Sequence, residues 1–295
     1  MTAVERPGSP PSRPTSPPSP RPSSPPSPRS SSRQPALPPS LETERHDDVL
    51  VLRLARPAKR NALNDATVLG IEAFFADPPR GVRAVVLDAE GDHFCAGLDL
   101  SELGDRDTVA AMEHSRMWHR AFERLAEGRV PVVSVQRGAV VGGGLELAAA
   151  THVRVAEPSA FYALPEGQHG LFVGGGGSVR LPRLIGAHRM AEMMLTGRVL
   201  DAAEGLAVGL SHHLVGPGEG LPKALELARA VATNSDMTNF AVLQALPRIA
   251  EAAPAQGYLI ESLVAAVASS SDDAQTRMRA FLDGRGRRVR REGDR

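Results

Sequence analysis

Gln136-Arg137-Gly138-Ala139-Val140-Val141-Gly142-Gly143-Gly144-Leu145-Glu146-Leu147-Ala148-Ala149-Ala150 is the stretch on which the reading of this chain turns. It follows the strand-like run Pro131-Val132-Val133-Ser134-Val135, so a strand, a glycine turn and an Ala/Leu-rich helix come in order. Three glycines at a helix start present free N–H groups and the positive end of the helix dipole to an anion or a developing oxyanion. The plainer reading is close packing of helix on strand. It is weakened by Glu146, which falls in an apolar first turn, where a buried carboxylate is costly unless paired or used.

Twenty positions on, a second glutamate opens Pro165-Glu166-Gly167-Gln168-His169-Gly170, ahead of the block Gly174 to Gly177 and then Ser178-Val179-Arg180-Leu181. Paired carboxylates can share proton-transfer work, which suggests a reaction at a carbonyl, run without a metal. The glycine block lacks the Gly-Lys-Ser/Thr of a nucleotide-triphosphate loop, and Val179 breaks the dinucleotide spacing. Upstream, Phe94-Cys95-Ala96-Gly97-Leu98-Asp99-Leu100 follows the strand-like Val82–Asp88. Ala96 and Gly97 leave the backbone accessible, as an N–H donor aimed at a ligand oxygen requires; a tight turn would explain them equally well.

Composition narrows the class. In 295 residues, 42% are hydrophobic, enough for a sizeable core, and the formal net charge is zero. The molecule as a whole therefore offers no electrostatic case for nucleic acid or a membrane surface. A lone cysteine, Cys95, excludes an internal disulfide framework and a Cys-rich metal site. No apolar run approaches a transmembrane helix and no apolar signal core stands at the start, so a cytoplasmic protein is expected.

The first forty residues hold 14 of the 25 prolines and repeat an eight-residue unit, Arg13 to Pro20 and then Arg21 to Pro28. Residues 1–40 are expected to be disordered with polyproline II character, either a dispensable extension or a docking arm for a Pro-recognising partner. From Glu42 to about Leu282 the pattern is one α/β unit, divided into a core over 41–220 and a helical region over 221–283. Strands are expected at Val49–Leu54, Val82–Asp88, Val130–Val135, His152–Ala156 and Ser211–Val215. Helices are expected at Asp65–Ala76, Thr108–Glu127, Leu145–Ala150, Arg189–Leu195 and Ala202–Val208, with Asp65 and Asp201 as N-caps. Four more follow: Leu221–Asn234, Asn239–Ala252, Gly257–Ala268 and Asp272–Leu282. Residues 284–295 read as a basic, solvated tail.

Six segments in order resemble the crotonase, or enoyl-CoA hydratase/isomerase, superfamily. They are Arg56-Pro57-Ala58-Lys59-Arg60-Asn61-Ala62-Leu63-Asn64, the Phe94–Leu100 loop, Gly142–Glu146, Pro165-Glu166, Met194-Leu195-Thr196-Gly197 with Ala203–Leu210, and Ala280-Phe281-Leu282. The resemblance implies a crotonase-like spiral of ββα repeats with a C-terminal helical oligomerisation region, and a trimer or hexamer. It implies an acyl-CoA thioester substrate, with CoA as carrier and no metal or redox cofactor. Residue by residue, it assigns the N–H groups of Ala96 and Gly143 to the oxyanion hole. Arg60, Ala62, Leu63, Gly97, Leu98, Asp99 and Gly142 are assigned to substrate and CoA binding. Glu146 would take the proton of an attacking water and Glu166 would supply one to Cα.

Two retained glutamates favour enoyl-CoA hydration. Isomerisation, an aryl-enoyl-CoA hydratase-lyase and a non-catalytic acyl-CoA-binding scaffold are the alternatives. The chain departs from the family pattern at Phe172-Val173-Gly174 and at Gly167-Gln168-His169. These departures imply a more polar acyl pocket, or one shaped for a branched or aromatic group. His169 could be an additional acid/base; structural or solvent-facing placement is the simpler expectation. Cys95, Trp118 and His119 read as packing residues.

Overall fold

Alternation in Val49-Leu50-Val51-Leu52-Arg53-Leu54 sorts side chains to two faces, and both faces are covered. The computed structural model describes residues 36–286 except 103 and 105. β1 (Leu41–His46), β2 (Val49–Leu54), β3 (Ala84–Ala89), β4 (Val132–Gln136), β6 (Val153–Ala156) and β9 (His213–Leu214) form one sheet in that order. β1 and β2 are antiparallel and the other neighbours are parallel. A second sheet holds β5 (Ala139–Val141), β7 (Phe161–Ala163) and β8 (Leu200–Asp201).

Val49, Val51, Ala84, Val86, Val133, Val135 and Val155 turn to one face of the large sheet. There they meet Ala224, Ala228 and Ala232 of α7 (Gly220–Ala232), spaced by four on one helix face. Leu50, Leu52, Leu54, Val85 and Leu87 turn the other way. They join a core with Ile71, Phe74 and Phe75 of α1 (Asp65–Ala76) and Phe122 and Leu125 of α2 (Thr108–Ala126). Burial on both faces explains why the parallel strands read as near-continuous apolar runs.

The ββα repeat is visible twice. β4 and β5 lead into α3 (Gly143–Ala149); β6 and β7 lead through a 3-10 turn, Pro165–His169, into α4 (Gly177–Ile185). β5 pairs in parallel with β7, Val141 opposite Ala163. That pairing sets the two glutamate-bearing turns side by side.

Several expectations need correction. Asn64, not Asp65, caps α1: its side chain accepts from the Thr67 N–H at 3.0 Å. Asp201 does cap α6 (Ala202–Val208), in a capping box with Glu204. Of the tail expected over 1–40, residues 1–35 lie outside the described residues. The final stretch is packed: Leu37 lies against the core, and Ser40 Oγ accepts from Thr67 Oγ1 at 2.7 Å. Of the basic tail, 287–295 lie outside the described residues.

The expected helix Asn239–Ala252 is three segments: α8 (Asp236–Phe240), a π-helical turn Ala241–Ala245, and α9 (Leu246–Glu251). Pro247 has no N–H to continue an α ladder, which accounts for the widened turn before it. After α5 (Ala187–Thr196) and these segments come α10 (Pro254–Ser269) and α11 (Asp272–Leu282). They expose Tyr258, Leu259, Leu263, Val267, Phe281 and Leu282, an apolar face unusual for water-facing helices.

Candidate active site

Each glutamate is placed by the turn that follows its strand. Gly142 has φ +53° and ψ −122°, outside the regions open to L-residues, and its N–H donates to the Ala163 carbonyl at 2.9 Å. A Cβ there would fall 2.7 Å from Oε1 of Glu166, so the second carboxylate lies directly against this glycine. α3 then begins at Gly143, whose N–H has no acceptor among the described residues.

The Phe94–Leu100 loop is lashed to β5 by Cys95 N–H on Ala139 O (2.8 Å) and Val141 N–H on Cys95 O (3.0 Å). On its other side the Leu63 N–H donates to Gly97 O at 2.7 Å, and the Asp99 N–H to Leu63 O at 2.8 Å. The Ala96 N–H is also used, by the Arg60 carbonyl at 3.0 Å. Ala96 is therefore not the open donor expected from the sequence. Leu98 is: its N–H has no acceptor among the described residues, and a Cβ on Gly143 would lie 3.5 Å from it. Gly97, at φ +97°, lets the loop approach so closely that a Cβ there would sit 3.3 Å from the Gly143 nitrogen. Two free N–H groups, Leu98 and Gly143, thus stand together.

Glu146 is 3% exposed, and Oε1 accepts from Gly175 N–H (2.8 Å) and Gly177 N–H (2.7 Å). Burial pushes its carboxyl up; the Gly177 and Gly175 N–H bonds and the Arg180 charge oppose that shift. Glu166 differs. Its Oε2 is buried without a partner among the described residues. Burial raises this carboxyl to about 7, with its own backbone N–H pulling down and the Glu146 charge pushing up. Burial thus raises both carboxyls; Glu146 is held by N–H donors, and Glu166 keeps an unpartnered oxygen.

Both line a cavity of about 460 Å³, together with Ala96, Gly97, Leu98, Gly142 and Gly143. The Enoyl-CoA hydratase/isomerase family model matches residues 44–288, from within β1 onward and including every residue of the cavity wall.

This chain belongs to the enoyl-CoA hydratase/isomerase family.

As a member, it falls among enzymes that act on enoyl-CoA. It is 32% identical over 253 residues to enoyl-CoA hydratase EchA19 of Mycobacterium tuberculosis, covering 84% of this chain and 95% of that protein. It is 29% identical to the short-chain-enoyl-CoA hydratase of Clostridium acetobutylicum, over 82% of this chain and 94% of that one. A crystal structure from Rhodopseudomonas palustris CGA009, provisionally named an enoyl-CoA hydratase, shares 57% identity and superposes with a TM-score of 0.81. That match covers 83% of this chain and 95% of the other. The fold is therefore the crotonase fold.

Four of the residues expected to bind substrate or CoA are not on the wall of this cavity. Leu63 is fully buried and braces the loop. Ala62 gives its carbonyl to Arg56 Nη1 at 2.6 Å. Asp99 is held by Ser101 Oγ (2.7 Å) and Arg56 Nη2 (2.7 Å), which keep its carboxyl at about 2. Arg60 supplies the carbonyl that engages Ala96, while its side chain is exposed.

Other residues enter the site that the sequence did not assign to it. Trp118, read as packing, lines the cavity with Nε1 buried and unpartnered among the described residues. Ala111, His114, Ser115 and Trp118 fall on one helix face, a spacing that could have flagged α2 as a wall. His169 and Phe172, marked as departures, line it as well. Cys95 is fully buried within the loop, its thiol pushed up to about 12 by burial, as packing rather than nucleophilic use requires.

Proposed function

We propose that this family member is an enoyl-CoA hydratase that adds water, syn, across the 2,3 double bond of a 2-enoyl-CoA. The thioester oxygen takes hydrogen bonds from Leu98 N–H and Gly143 N–H. They stabilise the enolate that forms as water attacks, by roughly 3–4 kcal/mol per donor. Glu146 receives a proton from the water as its oxygen bonds to Cβ, and the π electrons move to Cα and the thioester carbonyl. Glu166 delivers its proton to Cα, and the carboxyl pair then redistributes one proton to return to the starting state. Nothing in this scheme needs a metal or redox cofactor; CoA is the carrier portion of the substrate.

The observation that carries this reading is the asymmetry of the pair. Glu146 is supported as a carboxylate by two N–H donors, while Glu166 has an unpartnered oxygen and a carboxyl raised to about 7. Burial raises both carboxyls, so this difference in hydrogen bonding is the ground on which we assign base and acid. The exposed Arg60 side chain is assigned to the CoA phosphates. We assign the exposed face of α10 and α11 to contacts in a trimer or hexamer. Among the described residues no helix is long and apolar enough to cross a membrane, and the enzyme is proposed to work in the cytoplasm.

Incubation with aliphatic and aromatic enoyl-CoAs, read by product mass, tests the reaction. Gain of one water is the expected result. Isomerisation without mass change, chain cleavage, or binding without turnover would each replace hydration by one of the alternatives.

A further inference from the structure

The polar groups on the α2 wall are not equivalent. Ser115 is spent, since its Oγ donates to the Gly174 carbonyl at 2.7 Å. Trp118 packs the edge of its six-membered ring against Gly143. His114 is only partly engaged: Nε2 lies 2.7 Å from Asp65 Oδ1, and Nδ1 has no partner among the described residues. Arg106 Nη2 approaches the other oxygen of the same carboxylate at 3.5 Å. Asp65 is available for this because Asn64 has taken over the cap of α1.

An ionised carboxylate only accepts, so in the neutral ring Nε2 carries the proton and Nδ1 keeps its lone pair. The carboxylate thus fixes both the tautomer and the ring orientation, as partners of functional histidines commonly do. The result is a preset acceptor on a wall that is otherwise largely apolar, with Leu98, Leu171, Phe172 and Val173 among its members. Leaving such an acceptor unmatched against a hydrocarbon chain costs free energy that a donor on the ligand would recover. His114 stands one helical turn, about 5.4 Å, from Trp118, which touches the glycine assigned to the thioester oxygen. If the acyl group lies along this face, it meets His114 beyond its reacting carbons.

We propose that His114 is a specificity determinant that accepts a hydrogen bond at Nδ1 from a hydroxyl group on the acyl chain, with Asp65 as its positioning residue. The enzyme then prefers hydroxylated acyl-CoA thioesters to unsubstituted ones. The inference rests on the enoyl-CoA reading for the direction in which the substrate lies. A carboxylated acyl group is disfavoured because Arg106, the cation at hand, is already balanced by Asp65.

Calorimetric binding of saturated acyl-CoAs tests this without requiring turnover. One series carries a hydroxyl at successive carbons from C4 outward, beyond the reacting pair; matched compounds carry hydrogen, methoxy or carboxylate there. At one position the hydroxyl compound should bind about 5- to 10-fold more tightly than the unsubstituted one, and the methyl ether should gain nothing. That preference ratio should fall to near one in His114→Leu, shrink in Asp65→Asn, and be partly kept in His114→Gln, which retains an acceptor. The ratio is insensitive to a general loss of stability. No hydroxyl preference in the wild type, equal gain from the methyl ether, preference for the carboxylate, or a preference that survives His114→Leu would each overturn the proposal. A wild type that prefers hydroxylated ligands but hydrates no enoyl-CoA removes the hydratase reading alone. One that hydrates enoyl-CoA with no hydroxyl preference removes this inference alone.

Discussion

Gly177 donates its N–H to Oε1 of Glu146 at 2.7 Å, and the same glycine leaves the room in which that carboxylate sits. A Cβ on Gly177 would lie 2.8 Å from both Cγ and Oε1 of Glu146. Gly177→Ala is therefore expected to displace the carboxylate and lower kcat by roughly 10²-fold or more, like Glu146→Gln, with circular dichroism unchanged. Turnover within a few-fold of wild type in both variants would remove Glu146 from the mechanism.

The raised carboxyl of Glu166 gives two linked pH predictions. The acid form needed to protonate Cα is lost as pH rises through about 7, so kcat/KM should fall on the alkaline side with a limb near that value. The stability effect has the same sign. A carboxyl raised from 4.5 to about 7 on folding favours the fold fully below the lower value and loses that contribution as pH rises through the higher one. Glu166→Gln, permanently neutral, should be inactive yet raise Tm over wild type more at about pH 8 than at about pH 5. Equal Tm differences at both pH values would contradict this assignment.

Gly143 has little space beside it: a Cβ would lie 2.7 Å from Cζ3 of Trp118. Gly143→Ala should push the Leu98 and Gly143 N–H groups out of register and cost roughly 10²-fold in kcat, about what one oxyanion donor contributes. Adding Trp118→Leu should recover part of the loss, a coupling that a double-mutant cycle measures. Purely additive losses would mean that the indole does not set the position of this turn.

Leu259, Leu263 and Val267 recur at four-residue spacing along α10, and each is more than half exposed. Light scattering is expected to give a mass of three or six 31.2 kDa chains. Leu263→Glu should shift that mass downward. A monomeric wild type would show that this face has another use.

Legibility followed the length of the signal. Val49–Leu54 and Leu221–Asn234 could be read because long apolar runs and four-residue periodicity survive any tertiary arrangement. β5 and β7, three residues each, carry too little alternation to stand out from loops. α4 was hidden by its glycine start and by Pro182, which both argue locally against a helix. The sequence does not separate Asn64 from Asp65 as the cap of α1, because Asp and Asn are near-equal caps, and only the Asn64 contact with Thr67 decides between them.

The sequence by itself determined the family and nominated both glutamates, because glycine-rich turns and carboxylates in apolar settings are visible wherever they fold. It could not show which backbone N–H on the Phe94–Leu100 loop stays free. Hydrogen bonding is a matter of who reaches whom: Arg60, thirty-six positions upstream, takes Ala96, and Leu98 is left facing Gly143. Nor could it show how the two carboxyls are held. Glu146 and Glu166 are the same side chain and burial raises both, but Gly175 and Gly177 reach only Glu146.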